Sequence, residues 1–200
     1  MLAFAHIPKT AGTSLLKALQ RAYPGEMITD YLVMDRVPRS AIQVKYDAIV
    51  RRVRQPRAKV VFGHFSLGKY RWIAGQFGAV FRDPIDRVMS HYFYTEGTDD
   101  PVQFGNRFAG IYDQYLGGIP TDRLTYVGVT EEFNLSCRLY AAIFGRELIL
   151  RHDRKGDGIN YREWLRERGA LDSVEQTQRA NQVIYDSVRK RFDALCRAHL

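Results

Sequence analysis

Cysteine is almost missing from this chain. Only Cys137 and Cys196 occur in 200 residues, far apart and in no C-x-x-C pattern. That excludes a disulfide scaffold and a cysteine metal site, and it fits a reducing compartment. No apolar run approaches the roughly 20 residues that a helix needs to span a bilayer, and no charged-then-apolar leader opens the sequence. A cytoplasmic protein without a membrane span is the expectation. Repeats, low-complexity tracts and linkers are missing too, so one domain over residues 1–200 is expected. Acidic residues are the minority charge: 22 Asp and Glu stand against 30 Lys and Arg, for a net charge of +8. The excess favours an anionic partner such as a nucleotide, a nucleic acid, an acidic glycan or a membrane surface. It equally serves solubility, and charge alone does not choose.

The rest of the composition is ordinary, with 46% hydrophobic and 26% charged residues, enough to bury a real core. Short apolar runs predict strands at MLAFAHI (1–7), MITDYLV (27–33), KVVFG (59–63), QFGAVF (76–81) and TYVGV (125–129). Helical spacing follows from Gly12 to just before Pro24. It recurs over 40–54, where Ile42, Tyr46, Ile49, Val50 and Val53 share a face, and near 131–144, 160–168 and 173–197. Asp83-Pro84 predicts a helix start, with Asp as N-cap and Pro in the first turn, and Val88, Met89, Tyr92 and Phe93 turned inward. Residues 97–122 read as irregular or short helical segments, and Trp72 and Trp164 as core or pocket wall. Strands alternating with amphipathic helices imply an α/β fold with a mainly parallel central sheet flanked by helices.

The first strand runs into HIPKTAGTS (6–14). An ATP-type phosphate loop reads G-x-x-x-x-G-K-[ST]. In that register residues 7–14 keep Gly12 and Ser14, but Ile7 replaces the first glycine and Thr13 the lysine. The lysine stands inside the loop, as Lys9. A strand-to-helix loop still presents unpaired N–H groups and the positive end of a helix dipole, and residues 10–14 are small or hydroxylic, so an anion can approach them. A triphosphate–magnesium site is the weaker reading, because the third strand ends in GHF, with a histidine where an NTPase usually has an aspartate.

PKTAGTS resembles the 5′-phosphosulfate loop of sulfotransferases that use 3′-phosphoadenosine 5′-phosphosulfate (PAPS), and HIPKTAGTSL is similar to the carbohydrate, heparan 2-O-type branch and its bacterial relatives. A second motif, RDPIDRVMSHY (82–92), supports the resemblance. Arg82 ends a strand, where ligands of open α/β sheets bind, and Ser90 lies about two helical turns on. A strand-end guanidinium and a helix-face hydroxyl can converge on one phosphate, which by resemblance is the 3′-phosphate of PAPS.

The resemblance implies a P-loop-like three-layer domain that moves a sulfuryl group from PAPS to a hydroxyl acceptor, a saccharide, leaving PAP and requiring no metal. The amides of Thr10, Ala11, Gly12, Thr13 and Ser14 then hold the 5′-phosphosulfate, and Lys9 stabilises charge on the leaving oxygen. It maps the general base to His64, whose imidazole titrates near neutrality. Cytosolic sulfotransferases place an RKG sequence on the 3′-phosphate. Arg154-Lys155-Gly156 has that form, although a solvated turn explains it equally. The compact length suits a bacterial member, and neither a nucleic-acid partner nor a membrane span is implied.

Other residues receive plainer readings. His6 packs or hydrogen-bonds within the loop, His91 faces away from Ser90, His152 could reach the site, and His199 is terminal. Glu131 and Glu132 are the alternative bases, with helix capping as their simpler role. Arg87 reads as a structural ion-pair residue. Acceptor contacts are expected from 24–58 and 95–122. Two rivals stay open: a kinase with an altered phosphate loop, and a non-catalytic polyanion-binding protein.

Overall fold

The computed structural model describes residues 1–31, 40–97, 99–149 and 158–200. Strands β1 (Leu2–Ala5), β2 (Met27–Asp30), β3 (Val60–Gly63), β4 (Gln76–Phe81) and β5 (Tyr126–Val129) form a sheet in the order β2-β3-β1-β4-β5. Every pairing in it is parallel. Parallel strands carry helices on their faces and read as continuous apolar runs. Accordingly β1, β3 and β5 are buried along their whole length.

The sheet is flanked by helices α1 (Gly12–Ala22), α2 (Ala41–Arg54), α3 (Pro84–Tyr94), α4 (Pro101–Arg107), α5 (Ile111–Leu116), α6 (Phe133–Phe144), α7 (Tyr161–Glu167), α8 (Leu171–Thr177) and α9 (Arg179–His199). This is the expected three-layer α/β architecture. The chain leaves β1 toward one edge, to β2, and leaves β3 toward the other, to β4. The carboxyl ends of β3, β1 and β4 therefore border the crevice where open α/β sheets bind ligands. GHF, HIPKTAGTS and RDP lie at those three ends.

The α3 start follows its sequence signal. Asp83 Oδ1 accepts from the amides of Ile85 (3.0 Å) and Asp86 (3.1 Å), with Pro84 in the first turn. Ile85, Val88, Met89 and Tyr92 then pack with Phe104, Tyr161, Leu165 and Val174 into an apolar cluster separate from the one around the sheet.

Three expectations are corrected. Helix α2 does not bury its apolar stripe: Ile42, Tyr46 and Val53 are 80%, 68% and 72% exposed. Ala48 faces inward instead, and Asp47 and Arg51 fasten the helix to Lys69 and Asp30. Ion pairing, which leaves no periodic trace in the sequence, sets the rotation of this helix. Trp72 is likewise exposed rather than core, beneath Lys45 at 5.3 Å. The helix read over 173–197 is two helices, broken at Gln178. Gln178 and Asn181 are buried there and serve the backbone of the α4–α5 segment, Gln178 donating to the Gly105 carbonyl and Asn181 accepting from the Tyr112 amide.

Candidate active site

Parallel register brings two histidines together. Ala5 pairs with Gly63, so the next residues, His6 and His64, leave adjacent strands side by side. Their rings stack with centroids 4.2 Å apart, and His6 stacks on Phe62 from the other side at 5.2 Å. The approach is close enough to require two glycines. A Cβ on Gly12 would lie 1.5 Å from His6 Nε2, and one on Gly63 would lie 1.8 Å from the carbonyl oxygen of Asp30. Gly12→Ala should therefore displace the His6 ring and destabilise the protein by about 1–3 kcal/mol, the usual range for overpacking a tight site. A lowered urea midpoint at unchanged m-value is the expected reading, and an unchanged midpoint contradicts it.

The hydrogen bonds fix the protonation pattern. His64 Nδ1 lies 2.7 Å from the carbonyl oxygen of His6. A carbonyl only accepts, so Nδ1 carries the proton and Nε2 keeps the lone pair. Burial pulls the His64 pKa down, against the opposing pull of the His6 carbonyl bond, so at pH 7 the ring is a neutral, oriented acceptor. The Tyr115 hydroxyl also reaches Nδ1, at 3.3 Å. His6 falls to about 3, first through burial and then through His64. Burial pushes Tyr31 up to about 12, and its hydroxyl hydrogen-bonds His6 Nδ1 at 3.2 Å. Behind this group the buried Asp30 carboxylate takes Lys69 Nζ at 2.6 Å and the Tyr70 hydroxyl at 2.8 Å, which secures the end of β2 beside Gly63.

The loop between β1 and α1 is strained in an informative way. Lys9 and Ala11 adopt left-handed backbone, with φ of 69° and 62°, a conformation that costs a non-glycine residue about 1–2 kcal/mol. Such strain gathers at ligand sites, and turns of this kind aim successive amides into an anion-binding concavity. The Thr10 hydroxyl turns inward to the Ile7 carbonyl at 2.9 Å, leaving the amides as the loop's offering. Helix α1 begins without a side-chain cap or an acidic residue in its first turn, so its N-terminal amides and dipole can serve an external anion. Lys9 Nζ sits 4.1 Å above the Tyr94 ring of α3, bridging the loop and the second motif.

Arg82 follows β4 directly, and β4 pairs with β1, so Arg82 borders the same crevice. Its guanidinium lies over the Tyr161 ring at 5.8 Å, and its charge acts on the half-buried carboxyl of Asp86. Asp83, its neighbour, is taken by Arg162 at 3.0 Å. The Tyr112 hydroxyl donates to the Arg82 carbonyl and holds the strand end in place. Ser90 is half-buried on α3.

Solved structures add one comparison. The crystal structure of mouse sulfotransferase SULT7A1 complexed with PAP aligns at a TM-score of 0.57 over 94% of this chain and 88% of that one, with 12% sequence identity. The chain has the fold of a sulfotransferase. At that identity the likeness is one of fold. No protein-family model matches the chain, and no curated protein matches it.

The parallel sheet thus carries Lys9, the loop amides, His64 and Arg82 just beyond the carboxyl ends of its inner strands β1, β3 and β4, while Ser90 lies about two turns along α3. Arg154, Lys155 and His152 lie outside the described residues. The alternative bases are otherwise engaged: Glu131 accepts from the Asp83 amide at 2.7 Å and from the Tyr185 hydroxyl at 2.9 Å, and Glu132 pairs with Arg189 at 2.5 Å. Arg87 has no ion pair among the described residues and is fully buried, contrary to its sequence reading. Tyr31 and Tyr115, which flank the histidines, come from the two segments expected to supply acceptor contacts, though neither was singled out. A surface cleft lined by Ile85, Arg162, Asp172, Glu175, Gln178 and Arg179 contains none of Lys9, His64, Arg82 and Ser90. Among the described residues no helix is long and apolar enough to cross a membrane.

Proposed function

We propose that the protein is a PAPS-dependent sulfotransferase acting on a hydroxyl acceptor of saccharide type. The observation that carries the reading is the tautomer of His64: Nδ1–H is committed to the His6 carbonyl, which leaves Nε2 to accept a proton beside an anion-ready loop. In the reaction His64 Nε2 takes the acceptor's hydroxyl proton as the acceptor oxygen bonds sulfur. The bond from sulfur to the 5′-phosphate oxygen breaks in line, and the electron pair leaves with PAP. Amides of residues 10–14 hold the 5′-phosphosulfate, and Lys9 stabilises the charge that grows on the bridging oxygen. Its ammonium takes the place that magnesium has in phosphoryl transfer. Arg82 and Ser90 hold the 3′-phosphate, which gives the site its preference for PAPS over other adenine nucleotides.

Tyrosines at 31, 94 and 115 and a net charge of +8 suit a polar, anionic saccharide. A calorimetric comparison of PAP, ADP and ATP–Mg tests the whole reading. A sulfotransferase binds PAP at least about tenfold more tightly than ADP, the difference expected from hydrogen bonds to a charged group. Magnesium-dependent ATP binding at least as tight as PAP binding indicates a kinase. Equal, salt-sensitive binding of all three indicates a polyanion binder.

A further inference from the structure

Helix α2 turns its apolar side to solvent. Ile42, Tyr46 and Val53 are each more than two-thirds exposed, and Ile49 more than one-third. At about 100° and 1.5 Å per residue, these four side chains fall within about 60° of one another and form a ridge about 16 Å long. Trp72, 70% exposed, widens the ridge, with Lys45 Nζ over its ring at 5.3 Å. Arg71 fixes the backbone beside that tryptophan by donating to the Gly117 and Gly118 carbonyls. Single exposed apolar residues are ordinary, but a contiguous apolar face marks an interaction surface.

The exposure is enforced from beneath. Asp47 accepts from Lys69 Nζ at 2.6 Å and from Arg51 Nε at 3.0 Å. Arg51 and Lys69 also reach the fully buried Asp30 carboxylate, at 3.7 and 2.6 Å. Rolling the ridge inward would strip that carboxylate of its cations, which is costly for a buried charge. The capping box of Ser40 and Gln43 closes the helix start without apolar help. Ion pairs and a cap thus hold α2 as a platform, and the ridge residues take no part in the core.

Charge then chooses the partner. Residues 40–59 hold six cations, Lys45, Arg51, Arg52, Arg54, Arg57 and Lys59, against the single carboxylate of Asp47, which faces inward. By the same angular spacing Lys45 flanks the ridge on one side and Arg54 on the other, and Arg57 stands exposed just past the helix end. Lys45 lies in the second turn, where the helix dipole gives a cation no stabilisation. A second copy of this chain would set these cations against their like, and a nucleic acid offers nothing to cover isoleucine and valine. An anionic lipid surface meets both features. It takes apolar side chains at the acyl boundary, Trp and Tyr at headgroup level, and Lys and Arg among the phosphates.

We infer that the outer face of α2, together with Trp72, is a docking surface for an anionic lipid membrane, on which the protein lies reversibly without crossing it. The inference is independent of the sulfuryl-transfer reading.

Co-sedimentation with vesicles of phosphatidylcholine, alone or mixed with phosphatidylglycerol, tests it. The protein should bind the mixed vesicles saturably, at least about tenfold more tightly than phosphatidylcholine alone. Tryptophan emission should shift to the blue on binding. That shift should vanish in Trp72→Phe, which leaves only the half-buried Trp164, while binding persists. Ile42→Ser/Val53→Ser should weaken binding about tenfold or more, and Lys45→Gln/Arg54→Gln about 10–50-fold. Both double variants should keep the parent's melting temperature, since the changed side chains lie on the surface. No binding to the mixed vesicles would give the ridge to a protein partner and overturn the inference. Equal binding by the parent and both double variants would place lipid attachment elsewhere and overturn it too, and binding as tight to phosphatidylcholine alone would remove the role of charge on which the choice of lipid rests. A concentration-dependent dimer of the parent that Ile42→Ser/Val53→Ser dissociates would assign the ridge to a second copy and also overturn it.

Discussion

Replacing His64 with asparagine is expected to lower turnover by about 10²–10⁴-fold, the usual contribution of a positioned general base, while PAP affinity stays as it was. Asparagine is chosen because its amide N–H can still donate to the His6 carbonyl, keeping the bond seen at 2.7 Å, but it offers no nitrogen that can take a proton. The pH profile supplies a second reading of the same residue. Burial holds the His64 pKa below its ordinary 6.5, so the neutral, active ring persists through neutrality and is lost only as pH falls below that value. The acid limb of kcat/KM should therefore lie under pH 6.5 and disappear in the variant. Full activity in His64→Asn would refute the base assignment, and an acid limb that survives would move it to another group. Glu131 and Glu132 are poor heirs, since both carboxylates are committed to Asp83, Tyr185 and Arg189.

The parts legible in the sequence were those written in local chemistry. The β4 run QFGAVF was read to the residue, the Asp83-Pro84 helix start was read from its cap, and the order of strand-end motifs located the crevice. Periodicity failed where the burial it reports was not the deciding force. The stripe Ile42-Tyr46-Ile49-Val53 looks like a core face, but α2 is oriented by contacts of Asp47 and Arg51 with residues distant in sequence. The break at Gln178 was hidden for a similar reason, because it depends on what its amide meets across the fold, the carbonyl of Gly105.

Within the site, residue type was legible and partnership was not. His64 was singled out as base by the family resemblance together with its place at a strand end, yet its tautomer required the His6 carbonyl, which only the register of β1 against β3 brings near. Lys9 was found as a misplaced lysine, but its left-handed backbone was not, since nothing in K-T-A signals positive φ at non-glycine positions. Arg87 was misread because most arginines inside a folded chain have a carboxylate, and the lack of one is visible only in three dimensions.

Arg82→Ala should weaken PAP binding by about 10–150-fold, corresponding to the roughly 1.5–3 kcal/mol of hydrogen bonding to a charged group, while ADP affinity changes little. The contrast matters more than the loss. On the proposed reading Arg82 holds the 3′-phosphate, which ADP lacks, so its removal should collapse the preference rather than binding in general. The fold should survive, because the Tyr112 hydroxyl holds the backbone carbonyl of residue 82 and not its side chain, and Asp86, on which the guanidinium acts, keeps the charge of Arg162. Arg82→Lys should recover only part of the loss, since an ammonium keeps the charge but not the fork that binds two phosphate oxygens. Parallel titrations of PAP and ADP on the three proteins decide the matter. If PAP and ADP weaken together, the arginine supports the loop in general; if neither weakens, the 3′-phosphate is read elsewhere and the second motif loses its proposed role.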